Sequence, residues 1–463
     1  MSNAQLPGNP DSKLPEGPIG KLVKPIVRFM HIEAAGGIVL LICTAAALVL
    51  ANLDSTSKAY QAIWETKIEF RIEGLEHLFH PNYSIKHIIN DGLMVLFFFV
   101  VGLEVKRELV LGELRGIRKA ALPVAAAVGG MVVPALIYLV LQFDQPGQRG
   151  WGIPMATDIA FVVGCMALLG KRVPYGLRVM VLSLAIVDDI GAILVIAVGY
   201  TSGIVVGWLL TAAITFSVAM LLRWLGVRNF LPYVIVGLFL WLSVHESKIH
   251  ATIAGVILGL LTPANQLVSE SLFSNILEKA RDIFQGDWEK EPHKAEKVQS
   301  FQWVARETVS PLEYLMSALH PWTSFVVLPL FALANAGVPV KLDQLGSSIG
   351  LAVILGLVLG KPLGITFFSW VMVRLGLGEL PKGSNWGSLV GAGFLAGIGF
   401  TMALFIAGLA FAGEGMGASL DTAKIGILAA SVIAAVIGMI LMWLTLSEEP
   451  KPATDTASVS ESA

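Results

Sequence analysis

Long apolar runs separated by short polar connections organise this chain. A helix needs about 20 mostly apolar residues to cross the hydrocarbon core of a bilayer. Runs of that kind recur at 34–52, 85–106, 120–142, 151–170, 174–200, 204–224, 231–246, 248–263, 319–340, 347–374, 386–412 and 423–446. The pattern predicts an all-α membrane protein of about twelve transmembrane helices. The runs 231–246 and 248–263 are short and separated only around His245–Lys248, so one broken hairpin is the alternative there. Two other runs are interrupted from within. Pro154 and the pair Thr157–Asp158 fall inside 151–170, and Gly397-Ile398-Gly399-Phe400-Thr401 falls inside 386–412. Breaks at matching places in two halves predict inverted-topology repeats whose broken helices cross at the midplane. The alternative for the glycines is close helix packing alone.

The connections add three expectations. The 55–84 segment alternates apolar and polar residues around 67–73, a strand period. It predicts a small β-hairpin on the periplasmic face, and because a lone hairpin is marginal in water, a homodimer paired through 55–84. The 264–318 connection has a mixed-charge, helix-compatible middle from Glu270 to Arg306 and reads as a solvated cytoplasmic loop, with a regulatory surface as the sharper option. Segments 1–33 and 447–463 are polar tails flanking a transmembrane domain over 34–446. The first thirty residues do not read as a signal peptide, so the run from 34 is expected to be a retained helix.

Charge orients the chain. With the N-terminus inside, 23 of the 32 Lys and Arg fall on one side of the twelve spans and 8 on the other. Basic residues mark the cytoplasmic side, so both termini are expected to be cytoplasmic, in a bacterial inner membrane with lipid as the surrounding partner. Composition excludes an ordinary soluble protein: 55% of residues are hydrophobic, 14% are charged and the mean hydropathy is +0.73, against roughly 25% charged in soluble domains. A formal net charge of -2 leaves no basic footprint for nucleic acid. Cys43 and Cys165 lie in apolar runs and read as small buried hydrophobes. With no metal-ligand spacing of cysteine and histidine, no cofactor is expected.

Four charges stand where apolar residues belong: Asp158 in ATDIAFVVG, Asp188 and Asp189 in LAIVDDIGAILVIA, and Lys361 in LVLGKPLGI. Each costs roughly 2.5–3.5 kcal/mol at mid-membrane on insertion scales. One structural ion pair would explain two of them, not three acids against one base. Asp188 and Asp189 point about 100° apart on a helix, so one is able to meet a neighbouring helix while the other faces a water-filled cavity. Such a pair titrates as a unit. Ionised, it offers oxygen ligands to a hard cation; protonated, it holds protons. Competition between the two is the minimum chemistry of an exchanger. At the breaks, Asp158 is placed to compensate positive half-helix N-termini and Lys361 negative C-termini.

These residues carry a resemblance. INDGLMVLFFFVVGLEVKREL (89–109), ATDIAFVVG (156–164), LAIVDDIGA (184–192), HATIAGVILG (250–259), LPLFALANAGV (328–338), GKPLGI (360–365) and GIGFTMALFIAGLAF (397–411) resemble, in order, the bacterial NhaA sodium/proton antiporters. The resemblance implies electrogenic exchange of two protons per sodium or lithium, by alternating access, with the ions as substrates. It implies that Asp189 is the principal Na⁺ ligand and proton carrier, and that Asp188 is its partner in a salt bridge to Lys361. Asp158, Thr157 and Thr401 are implied beside the site. Glu104, Arg107, Glu108 and His250 are implied in pH response, and Asp91 matches an acid of the family's second span. One departure stands out. Where the family carries a glutamate–histidine pair before His320-Pro321-Trp322, this chain has Met316 and Ser317, so a shifted or shallower pH response is expected. The alternative function is a sodium-coupled organic-solute symporter, which would need a polar pocket that the spans, with few extra polar side chains, do not supply. An enzyme is not expected, since neither a metalloprotease motif nor a nucleophile elbow is present.

Overall fold

The apolar runs fold as helices whose ends are set by local capping. In the computed structural model the described residues are 35–69, 82–201, 203–227, 230–266, 294–340, 346–413 and 415–446, with single positions at 272, 274 and 278. Helix α1 (Ala35–Asn52) is followed by α2 (Ser57–Glu65) and β1 (Lys67–Glu69). β1 pairs antiparallel with β2 (Asn82–Ser84), Lys67 opposite Ser84. The predicted hairpin is therefore present, though residues 70–81 lie outside the described residues. The start of the 55–84 segment is helical, with Tyr60 the buried residue of α2.

β2 leads directly into α3 (Ile85–Val110), which widens into a π-helical turn at Ile88–Leu93 around Asp91. α4 (Ile117–Leu141) precedes a 3₁₀ segment, Pro146–Met155, and α5 (Ile159–Leu169). Then come α6 (Tyr175–Gly199), α7 (Val206–Trp224), α8 (Phe230–Glu246), α9 (Thr252–Leu261) and α10 (Lys294–Glu307). α11 (Pro311–Asn335), α12 (Ser348–Arg374), α13 (Trp386–Ala396), α14 (Phe400–Ala410) and α15 (Gly417–Thr445) complete the chain. α11 starts inside the expected 264–318 loop, since Ser310 caps it by accepting from Glu313 N at 3.2 Å and Pro311 fits its first turn.

Among the described residues eight helices are long and apolar enough to cross a membrane, or up to ten with the two bent pairs, Pro146–Met155 with Ile159–Arg172 (43°) and Trp386–Ala396 with Phe400–Ala410 (46°). The predicted runs 231–246 and 248–263 appear as α8 and α9, shorter apolar helices. Large apolar side chains such as Val140, Leu168 and Val198 point outward, as expected for a surface solvated by lipid.

Two close approaches organise the interior. A Cβ on Gly364 of α12 would lie 2.0 Å from Gly129 O of α4, so these backbones touch. On the other side α3 and α9 meet through Gly102, Gly255 and Gly259, where an added Cβ would stand 2.7 Å from Val256 O, 2.4 Å from Val95 O and 2.6 Å from Phe99 O. Small residues at such crossings maximise dispersion contact where lipid offers no hydrophobic drive.

Candidate functional site

The two bent pairs cross. Pro146–Met155 packs on α14, and α5 packs on α13. Between the halves the backbone is extended at Ala156 and Asp158, and Asp158 N donates to Ile398 O at 2.7 Å, joining one break to the other. The Asp158 carboxylate then serves two helices. Its Oδ1 accepts from Phe161 N at 3.3 Å, capping α5. Its Oδ2 accepts from Thr401 N at 3.0 Å and from the Thr401 hydroxyl, capping α14. A single negative charge thus sits at two positive half-helix ends.

Lys361 is fully buried and makes an ion pair with Asp188 Oδ2. It also donates to Thr157 Oγ1 at 2.7 Å. The Thr157 hydroxyl lies 2.6 Å from Asp188 Oδ2 and 2.9 Å from Ala396 O, and having one proton it donates to one of them at a time. Ala396 O belongs to the C-terminal end of α13. The ammonium pairs with Asp188, and Thr157 stands between it and the end of α13.

Asp188 and Asp189 follow each other on α6 and are 1% and 2% exposed. The helical twist sends them to different surroundings. Asp188 has Lys361 and Thr157, whereas Asp189 Oδ1, like Asp188 Oδ1, is buried with no hydrogen-bond partner among the described residues. The charged groups around Asp189 are Asp188, Glu104, Asp158 and Lys361. Buried carboxylate oxygens without donors are costly, and this oxygen-rich cluster suits a small hard cation or a proton.

The remaining predicted residues divide into two groups. Glu104 and Glu108 lie one turn apart on the part of α3 that faces α6. Glu108 Oε1 accepts from Ser183 Oγ at 2.8 Å and from Glu113 N at 3.0 Å, while Arg107 between them is exposed. Asp91 and His250 stand away from the ion cluster, near the hairpin. Asp91 has His87 Nε2 at 3.2 Å and His250 Nε2 at 3.9 Å, and His250 Nδ1 is 2.8 Å from Thr252 Oγ1. Sequence reasoning missed most of this second cluster. Tyr83 OH lies 3.0 Å from His245 Nε2 and its ring stacks on His87 at 4.5 Å. Burial, with Glu246 and Asp91 nearby, holds the Tyr83 phenol above its usual range. The i, i+4 spacing of His87 and Asp91 was the available signal. The reciprocal amide pair of Asn90 and Asn335 (2.7 and 3.3 Å) was also missed.

Many apolar helices around a buried carboxylate–ammonium cluster define a multi-pass membrane ion transporter. A family model described as Na⁺/H⁺ antiporter 1 matches residues 27–442, and the chain belongs to that family. It is 54% identical over 440 residues to Na⁺/H⁺ antiporter NhaA of Rhodopirellula baltica, covering 95% of this chain and 97% of that one. It is 50% identical over 431 residues to NhaA 2 of Acidiphilium cryptum (93% and 94% covered) and 46% identical over 446 residues to NhaA 2 of Vibrio vulnificus (96% and 97% covered).

Proposed function

We propose that this protein exports Na⁺, or Li⁺, in exchange for protons, by alternating access at the Asp188–Asp189 site. The observation that carries the reading is the inequality of the two acids. Both keep a buried, unpartnered Oδ1, but Asp188 is held through Oδ2 by Lys361 and Thr157, whereas Asp189 has no ion pair or side-chain hydrogen bond among the described residues. Asp189 is the principal ion ligand and proton carrier. Na⁺ arriving from the cytoplasm displaces protons there and draws Asp188 from Lys361, and protons arriving from the opposite side reverse the exchange. Two protons per sodium make the cycle electrogenic. The second carrier is either Asp188 or Lys361, released when their ion pair opens.

Asp158, Thr157 and Thr401 hold the crossing rigid around the site. Within the same proposal the fold has twelve spans, with α8 and α9 each crossing once, and its two bent pairs are related as inverted repeats. Both termini are cytoplasmic in the bacterial inner membrane, and a second copy of the chain pairs at the 55–84 hairpin. Glu104, Arg107, Glu108 and His250 tune the pH response, with Asp91 holding His250.

The test is Na⁺-driven collapse of a pH gradient in proteoliposomes holding the full chain. Exchange is expected with Na⁺ and Li⁺. A sodium gradient that drives uptake of an organic solute, with no proton movement, would assign the symporter reading instead.

A further inference from the structure

Ser183 bonds differently from the other helical hydroxyls. Thr211, Thr215, Ser217 and Ser243 each donate to the carbonyl four residues earlier on their own helix, the usual choice for a hydroxyl inside a helix. Ser183, on α6 about one and a half turns before Asp188, is 2% exposed and instead donates across to Glu108 Oε1 of α3 at 2.8 Å.

The Glu108 carboxylate is provided for on its other side as well. Oε1 also accepts from Glu113 N at 3.0 Å. Gly112 makes the room, since an added Cβ there would lie 2.2 Å from Glu108 Oε2. Its φ of -93° is open to any residue, so what this glycine contributes is the missing side chain. Among the elements packed on this stretch of α3, α6 brings Arg178 besides the ion-site aspartates. The 3₁₀ turn Glu113–Arg115 brings those two end residues, α11 brings Glu313 and His320, and α9 brings no titratable group. Glu104, Lys106 and Arg107 are the neighbours on α3 itself.

An ionised carboxylate accepts such bonds strongly and a protonated carboxyl accepts them weakly. The link between α3 and α6 therefore depends on the charge of Glu108. α3 is packed backbone to backbone on α9 through Gly102, whereas α6 carries Asp188 and Asp189. We propose that Ser183 is a positioning residue that ties the ionised Glu108 to α6, so that protonation of Glu108 is felt at the ion helix and the tie sets the pH midpoint of exchange. Loss of the hydroxyl removes a donor that serves the ionised form, so the midpoint moves to higher pH whichever limb of the profile reports it. The proposal rests on the reading above that Glu108 takes part in the pH response, and adds Ser183 to it.

The test is Na⁺-driven dissipation of a pH gradient by the full chain in proteoliposomes, scanned over pH. Ser183→Ala is expected to raise the midpoint by about half a pH unit or more, with the maximal rate within about twofold of the parent. Ser183→Thr keeps the hydroxyl and is expected to stay close to the parent. Gly112→Ala, whose methyl displaces the carboxylate, is expected to move the midpoint the same way as Ser183→Ala. It decides the matter if Ser183→Ala does not reconstitute, an unmoved midpoint then overturning the tie. In a Glu108→Gln background, Ser183→Ala is expected to change nothing further. A Ser183→Ala profile superimposable on the parent's, or an equal shift in the Glu108→Gln background, overturns the proposal, since a serine that only packs gives one or the other. A Glu108→Gln profile that matches the parent's fails the assignment of Glu108 to the pH response, and the tie with it. An altered Glu108→Gln beside an unaltered Ser183→Ala fails the tie alone.

Discussion

Lys361 and Asp188 form an ion pair in which neither side chain has any solvent-exposed surface. Removing one partner of such a pair leaves an uncompensated buried charge, which costs about 3–5 kcal/mol. Lys361→Met is therefore expected to lower the thermal midpoint in detergent markedly. Adding Asp188→Asn should recover most of that loss while exchange stays impaired. Non-recovery in the double variant would mean that Lys361 stabilises the fold through other contacts.

Asp158 caps both α5 and α14, and a lost cap costs about 1 kcal/mol. Asp158→Ala, losing both, should destabilise the protein by about 2 kcal/mol. Asp158→Asn keeps acceptor geometry and should lose less. Chemical denaturation of the two variants side by side checks the order, and equal losses would contradict the double-cap assignment.

The α4–α12 crossing leaves no room for a methyl group. Gly364→Ala would place Cβ 2.0 Å from a backbone oxygen, whereas a Cβ on Gly408 meets nothing within 4 Å. Gly364→Ala should cut the yield of monodisperse protein severalfold on size-exclusion chromatography, with Gly408→Ala close to the parent. Equal yields would show that the crossing tolerates separation.

Met316 and Ser317 lie on α11, half-buried and exposed respectively. Introducing Met316→Glu with Ser317→His is expected to steepen the dependence of exchange on pH and to move its midpoint. A profile superimposable on the parent's would remove these positions from pH control.

Most of the membrane architecture was legible in the sequence, because apolar length is a direct physical requirement for spanning. The four misplaced charges were legible for the same reason: Asp158, Asp188, Asp189 and Lys361 all lie at the crossing. Less visible were features that depend on which faces meet. The Lys361–Asp188 pair came from the resemblance, but that one Asp158 carboxylate caps both α5 and α14, and that Thr157 joins Lys361, Asp188 and the end of α13, follows from the packing of distant segments. The cluster of Tyr83, His87 and His245 was hidden because it joins residues on β2, α3 and α8. α2 escaped notice because a nine-residue helix and an alternating strand differ little over so short a stretch.

The most direct test of the central claim is Na⁺-driven dissipation of a pH gradient by Asp189→Asn, beside the parent in the same vesicles. Asn fills nearly the same space and neither carries a proton nor bears charge. The expected result is exchange abolished in a protein that folds and reconstitutes as the parent does. Robust Na⁺-driven proton movement by Asp189→Asn would contradict the assignment of Asp189 as the ion and proton carrier.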